Sequence, residues 1–463
     1  MGNILQGPEA EAEHPFIEST LPQPQKHGST TAPSLFQSAC SESKNHWHIA
    51  APSIFTRLAM FSITVVTQSF AGHLSDLDLA AISIGCTLLI SITFGFLLGM
   101  ASALETLCGQ AYGAGHHRML GIYLQRSWLV LFLSSLFMLP IFVFATPLLR
   151  LIGLPVAVAE RAGLVAIWLI PFHLSFPFQF TLQRFLQCQL KTGIIAWISG
   201  GALAVHVLVS WVFVEKMRIG IVGTALTIAF SWWLSVFGLL LYTLFGGCPH
   251  SWTGFSAQAF VGLWDFFKLS FASGLMVALE NFYYRLLLIV SGYMHNTEIA
   301  IDALSVCVTI YGWESMIPLA FLAATGVRVA NELGAGNAKG AKFATVVSVS
   351  SSVIQMVNEL AILLAFTILL NCIQPILSGV AVGCGRQAVV TYTNIGSYYL
   401  VGIPLGVLLG WLLPSGIVGM WTGMMCGTVV QTVILTIVTM RYDWEQEARK
   451  AQIVIKEEAT SNR

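Results

Sequence analysis

The sequence predicts an all-α integral membrane protein, a two-lobe bundle of about 11–12 transmembrane helices arranged as parallel six-helix repeats. Three observations carry that prediction. Of 463 residues, 56% are hydrophobic and 10% charged, with a mean hydropathy of +0.76, whereas a soluble domain carries about 25% charge. Apolar runs of bilayer-crossing length, about 20 residues, recur along the chain. The two halves also share motifs at one nearly constant offset.

Residues 1–46 are rich in Pro, Ser, Glu and Gln and read as a disordered cytoplasmic tail. Apolar runs follow near 49–72, 79–107, 122–147, 157–178, 193–214 and 220–245. They make an N-terminal lobe of residues 47–247, joined by a linker, 248–262, to a C-terminal lobe, 263–442. The second lobe has runs near 266–292, 299–324, 360–382, 388–413 and 416–440, before a polar tail over 443–463. With the N-terminus inside, the inner loops hold Arg118, Arg126, Arg184, Lys191, Lys268, Arg328, Lys339 and Lys342. The outer loops then hold mainly Arg150, Lys216 and Arg218, which obeys the positive-inside bias.

"CGQAYGAGHHRML" closes the second run and "ANELGAGNAKGAK" the eighth, with Gly-Ala-Gly triplets at 113–115 and 334–336, 221 residues apart. "FAGHLSDLDLAAISI" and "VSGYMHNTEIAIDAL" keep nearly that offset. Gln183 of "QRFLQCQ" and Gln374 of "QPILSGV", however, are only 191 apart. About thirty residues, one span with its loop, are therefore absent near 343–372. What remains there is too short for two ordinary spans and a turn. Either the ninth helix is shortened, or the chain has eleven spans and inverts its last segments.

Charge and cysteine usage exclude several functions. Twenty-two basic residues balance twenty-two acidic ones, and no basic patch with interleaved aromatics points to nucleic acid. The nine cysteines form no C-x-x-C pair and read as packing residues. His116-His117 reads as a solvated loop rather than a metal site. No G-x-x-x-x-G-K-[ST] phosphate loop exists for a primary pump, and no nucleophile–base constellation marks an enzyme.

"ALETLCGQAYGAG", "QRFLQCQLKTG", "GFSAQAF", "ALENFYY", "VRVANELGAGNAKGAK" and "QPILSGVAVGCGRQ" together resemble the plant multidrug and toxic compound extrusion (MATE, or DETOXIFICATION) transporters, and within them the flavonoid-type branch. The likeness runs from about Glu42 to Trp444. It implies a MATE-type fold, two six-helix lobes around a V-shaped cleft, with alternating access. It also implies efflux of organic solutes such as flavonoid conjugates, alkaloids or xenobiotics in exchange for protons. No cofactor beyond the proton gradient is implied, and the expected state is a monomer in the vacuolar membrane ahead of the plasma membrane. The chain departs from the family in its helix-sized internal deletion. It also has Asn371 where many plant members carry an acid, and Gly385-Arg386-Gln387 in place of G-W-Q.

Glu280, near the middle of the seventh run, is the expected proton-coupling residue. A charge at mid-bilayer costs about 2.5–3.5 kcal/mol on insertion scales. Two conformations that hydrate such a group differently couple its proton to their equilibrium. At about 100° per residue Arg285 lies roughly 140° away around the helix, so the two do not share a face. Tyr283 and Tyr284, at i+3 and i+4, do, and are the expected substrate-binding residues beside it; the resemblance likewise implies a functional acid here. Tyr311, Trp313 and Glu314 of "YGWESMIP" fit either a substrate-binding wall for flat or cationic solutes or an interfacial aromatic anchor. Asn371 fits a hydrogen bond to substrate or proton site, or a helix–helix hydrogen bond. Glu105, Gln110, Gly113 and Gly115 end the second run, and Asn331, Glu332, Gly334 and Gly336 end the eighth. Both sets, with Gln183 and Gln187, read as hinge or gate architecture. The competing function is a transport-inactive, truncated family member.

Overall fold

Every described element is helical. The computed structural model of the chain describes residues 35–291, 316–357, 362–412 and 416–461. The first half runs α1 (Leu35–Gly72), α2 (Asp76–Gly113), α3 (His117–Val143), the short α4 (Ala145–Leu151), α5 (Val156–Trp168), α6 (Ile170–Cys188), α7 (Thr192–Lys216) and α8 (Ile221–Gly247). The second runs α9 (Leu263–Ser291), α10 (Met316–Gly334), α11 (Ala338–Val357), α12 (Ile362–Gly383), α13 (Gln387–Trp411), α14 (Gly416–Met440) and α15 (Trp444–Ser461). Among the described residues eight helices are long and apolar enough to cross a membrane, nine if α5 and α6, bent by 47°, form one broken span. Pro171, in the first turn of α6, has no N–H to continue the hydrogen-bond ladder of α5 across the break. Wider π-helical turns interrupt α2 at Gly85–Ile90 and α13 at Ile395–Gly402 without ending them.

The helices are hydrophobic on both sides, as burial within a bundle in lipid requires. Their outward faces carry Phe137, Trp197 and Trp411, at 87%, 81% and 78% exposure. The inward faces close a continuous core through the first half that reaches Phe266, Phe321 and Ile376 of the second. At its centre runs α2, packed against α3 and α6 on one side and α9 and α10 on the other.

The shortened region resolves as a helical hairpin. α11 and α12 have 20 and 22 residues, about 30 and 33 Å at 1.5 Å per residue, against a hydrocarbon core of about 30 Å. Ala338 and Ala341, which start α11, meet Val380 near the end of α12 in one cluster, so the chain returns to the end it left. This arrangement favours a shortened pair over a single span in this region. α11 takes in residues 338–342, which the sequence reading had placed in a loop, and α12 matches the apolar run read near 360–382. His117–Cys188 in the first half takes 72 residues and Ala338–Gly383 takes 46, a difference of 26. The second half has no counterpart of α4 and α5 between its two helices.

Both expected tails also fold in part. α1 begins at Leu35, not after residue 46. Glu42 is bidentate to Arg328 at 2.9 and 3.0 Å, His46 stacks on Phe321 and contacts Ser348, and Trp47 meets Phe321 edge-on. Those contacts order a stretch whose composition reads as disordered. At the other terminus α15 docks Trp444, Ala448 and Ala451 on Val329 and Leu333 of α10. Arg386, where the family has tryptophan, pairs with Glu447 of α15 and lies 4.9 Å over the Tyr442 ring. The Glu447 hydrogen bond holds that guanidinium above its ordinary pKa.

Candidate functional site at the crossing of the two halves

α2 and α10 cross at backbone contact, and the repeat makes the crossing reciprocal. A Cβ on Gly113 would lie 1.9 Å from the Asn331 carbonyl oxygen, and one on Gly334 would lie 1.9 Å from that of Gln110. Gln110 and Asn331 are themselves 221 residues apart, as are Gly113 and Gly334. Gly109 meets Ala330, again its repeat mate. The contact is thus the self-complementary kind that a two-fold axis produces, here written twice into one chain. Gly115 and Gly336 then end the helices with φ of +78° and +75°, the left-handed cap that glycine adopts without strain.

The symmetry breaks one turn inward. Glu105 faces its repeat mate Gly326, where a Cβ would come within 2.3 Å of Glu105 Oε1. The carboxylate pairs with Arg184 of α6 at 2.7 Å, and both side chains are buried. Arg57 of α1 lies where the charges of Arg184 and Glu105 both act on it. Gln187 accepts from Arg184 Nη1 at 3.2 Å, while Gln183 is half-buried. The Asn331 amide reaches the Cys188 carbonyl at 3.5 Å. Glu332 accepts from Arg328 and from Asn337, each at 2.8 Å. Thr106 donates to the Val382 carbonyl and accepts from Gln387, and Gln110 donates to the Gly383 carbonyl at 3.2 Å. The residues expected at a gate are therefore gathered at one sealed end, except that Gln183 makes no hydrogen bond among the described residues.

Glu280 lies on α9, half-buried, with the buried Gln374 of α12 in hydrogen-bonding position. Gln374 also donates to Ser378 at 3.2 Å. Among the described residues Glu280 has no cationic partner. Donors from α13 grip the surrounding backbone of α9: Thr391 to Ala272, Asn394 to Met276 and Tyr399 to Leu279, at 2.9–3.1 Å. Asn394 in turn accepts from Gln431 at 2.6 Å, and Gln431 from Tyr398.

Tyr283 does not share the surroundings of Glu280. It is fully buried, stacked on Tyr398 at 4.3 Å between centroids, and its hydroxyl donates to the Met424 carbonyl at 3.4 Å. Cβ atoms on Gly402 and Gly427 would lie 2.3 and 3.0 Å from that hydroxyl. In this conformation its ring and hydroxyl are engaged by packing against α13 and α14. The Tyr284 and Asn371 side chains, and Tyr311, Trp313 and Glu314, lie outside the described residues. The sequence reading missed Arg184 as partner of Glu105, and Gln374 as partner of Glu280. Their type was visible, but nothing in a linear pattern says which helix faces which.

The MatE family profile matches residues 52–212 and 272–357. Protein DETOXIFICATION 27 of Arabidopsis thaliana is 53% identical over 438 residues, covering 89% of this chain and 90% of its own. Protein DETOXIFICATION 26 of the same plant is 49% identical over 443, covering 90% and 91%. The crystal structure of the eukaryotic MATE transporter AtDTX14 is 32% identical, with a TM-score of 0.85 over 90% of this chain and 99% of that one. A MOP-superfamily transporter from Pyrococcus furiosus, 14% identical, shares the fold at a TM-score of 0.74. The 438 positions aligned with DETOXIFICATION 27 take up 89% of 463 residues, about 412, so about 26 of them have no residue here. That is the difference in length between the two helical hairpins.

Proposed function

The chain belongs to the MatE family, and from that premise we propose that it is a proton-coupled antiporter exporting organic solutes from the cytosol. Its relatives are membrane transporters rather than enzymes, and the described helices form a multi-pass all-α bundle. The observation that carries proton coupling is Glu280. A half-buried carboxylate whose partner is a neutral amide has, among the described residues, no cation to hold it ionised. Protonated, it is cheap to bury. Ionised, it draws in water. The two states therefore favour conformations that hydrate α9 differently. The sealed α2–α10 end carries Arg328, Lys339 and Lys342, bases of the predicted cytoplasmic side, so this conformation is closed to the cytosol. Proton binding from the acidic side and release after switching would reopen that end for the next solute. Flavonoid conjugates and the vacuolar membrane are the substrate class and location we favour.

The test is proton-driven uptake of quercetin 3-O-glucoside into vesicles holding the purified chain. Uptake that collapses in Glu280→Gln supports the proposal, and equal uptake at every pH gradient overturns it. The 26-residue difference favours a second reading, a transport-inactive member. It predicts no gradient-dependent uptake until the missing segment is restored.

A further inference from the structure

The segment joining the two halves is held firmly by its backbone, yet it turns aromatic side chains outward. It runs along the first turns of α3. Gln125 donates to the Gly254 carbonyl at 2.9 Å and accepts from the Ser256 amide at 2.8 Å. Ser251 donates to Gln189, in the turn between α6 and α7, at 2.6 Å. A Cβ on Gly121 would come within 2.4 Å of the Ser251 carbonyl oxygen. On this fixed backbone Phe255, Phe260 and Val261 are 82%, 65% and 55% exposed, and Trp264, at the start of α9, is 64% exposed. Exposed apolar groups clustered in this way mark a surface that meets a partner.

Two features point to lipid as that partner. Ring contacts lead from the linker onto the outer side of the bundle. Phe255 meets Trp252 at 5.4 Å between centroids, and Trp252 meets Trp128 at 5.8 Å. Trp128 meets Phe178 at 6.1 Å, and Phe178 meets the exposed Phe132 of α3 at 5.9 Å. The second feature is the length of α9, 29 residues, or about 43 Å at 1.5 Å per residue. That exceeds a hydrocarbon core of about 30 Å and matches a bilayer with its headgroup layers, about 40–45 Å. The first turns of α9 therefore lie among headgroups. There Trp264 and Phe271 share one helix face with Lys268, whose ammonium lies 5.4 Å over the Trp264 ring, and the exposed Phe282 continues that face five turns on. An aromatic beside a base with an apolar stem is the residue pairing of a membrane boundary.

We propose that residues 252–264 are seated in the cytosolic leaflet, with Phe255, Phe260, Val261 and Trp264 at the boundary between phospholipid headgroups and acyl chains. The side follows from Arg118, Arg126 and Lys268, bases of the predicted cytoplasmic face. The linker is thus an anchor rather than a solvated connection. It belongs to the first half, because its hydrogen bonds go to α3 and the α6–α7 turn, and it leads directly into α9 of the second. The anchor is independent of whether the chain transports.

The test is photocrosslinking of the full chain in nanodiscs of phosphatidylcholine and phosphatidylglycerol. Phe255→p-benzoyl-phenylalanine and Phe260→p-benzoyl-phenylalanine are irradiated, and adducts are identified by mass spectrometry. The same probe at Phe137, on the outer face of α3, and at Arg449, exposed on α15, gives the lipid and water references. Phospholipid adducts at 255 and 260 are expected at least about fivefold above the yield at 449, because an interfacial ring meets acyl chains and a solvated one does not. A smaller ratio at either position, or adducts confined to protein, overturns the proposal. Hydroxyl-radical footprinting of the unmodified chain in the same nanodiscs needs no substitution. Protection of Phe255 and Phe260 as full as that of Phe137 supports the anchor, and oxidation at the rate of a water-exposed ring overturns it.

Discussion

Gly113→Ala tests the crossing most directly. The new Cβ would sit 1.9 Å from the Asn331 carbonyl oxygen, 2.7 Å from its carbon and 2.9 Å from its Cα, all backbone atoms. Ordinary contact begins near 3.4 Å, so α2 and α10 must part by about 1.5 Å, because a helix backbone cannot yield locally as a side chain would. Overpacking of this kind costs about 1–3 kcal/mol. Charged to the sealed conformation alone, that shifts the balance between sealed and open ends about 5- to 150-fold. Cys188 reports it, being fully buried with its thiol against the Glu105 carbonyl at 3.3 Å. Maleimide labelling of Cys188, followed by mass spectrometry of its peptide, should accelerate by that factor. Gly201→Ala, with nothing within 4 Å of its new Cβ, is the control. Labelling of Gly113→Ala no faster than the control would refute the reasoning, and Gly334→Ala must behave alike because its Cβ meets Gln110 at the same 1.9 Å.

Three further perturbations follow from the same contacts. Glu42→Ala leaves Arg328 with Glu332 alone, and losing a bidentate pair worth about 1.5–3 kcal/mol should also speed Cys188 labelling. An unchanged rate would mean that the N-terminal end of α1 does not help seal the crossing. Tyr283→Phe should lower thermal stability by about 1 kcal/mol and Tyr283→Ala by about 3–5 kcal/mol, with solute affinity unchanged in the phenylalanine variant. A selective loss of binding in Tyr283→Phe would place it in the substrate site. Arg386→Ala removes a partly exposed ion pair and a cation–π contact, together about 1 kcal/mol. It should hasten proteolysis within Trp444–Ser461, and equal cleavage rates would show that α15 is held by its apolar face alone.

The spans and the repeat were legible because lipid imposes length and hydrophobicity on every crossing segment. The gate glycines were legible because the motif occurs twice, at 113 and 334. What pattern reading could not reach was anything settled between helices. Residues 35–46 read as disordered, yet Glu42 and His46 find Arg328 and Ser348 nearly three hundred positions away. α15 read as a polar tail because only a narrow stripe of Trp444, Ala448 and Ala451 is buried. Tyr283 sits three residues from Glu280 and shares its helical face, but a helix face is broad enough to meet two different neighbours. Spacing alone could not separate the residue against Gln374 from the one stacked on Tyr398.

The missing segment is best understood from which end of the hairpin it leaves intact. Among the described residues, the hydrogen bonds that tie α12 to α2 lie at the sealed end. Thr106 and Gln110 hold the Val382 and Gly383 carbonyls, Gln387 braces Thr106, and Ala338, Ala341 and Val380 pack with α15. In the first half, the residues without a counterpart are α4 and α5, between the outgoing α3 and the returning α6. A segment missing between α11 and α12 therefore leaves those contacts in place. If both helices cross, the number of crossings stays even and Arg441, Arg449 and Lys450 share a side with Arg328 and Lys342, as the positive-inside bias requires. Loss of a single whole helix would have failed on both counts. Sealing at the α2–α10 end should thus be unaffected by restoring the segment, and any gain in transport from restoring it must arise away from that end.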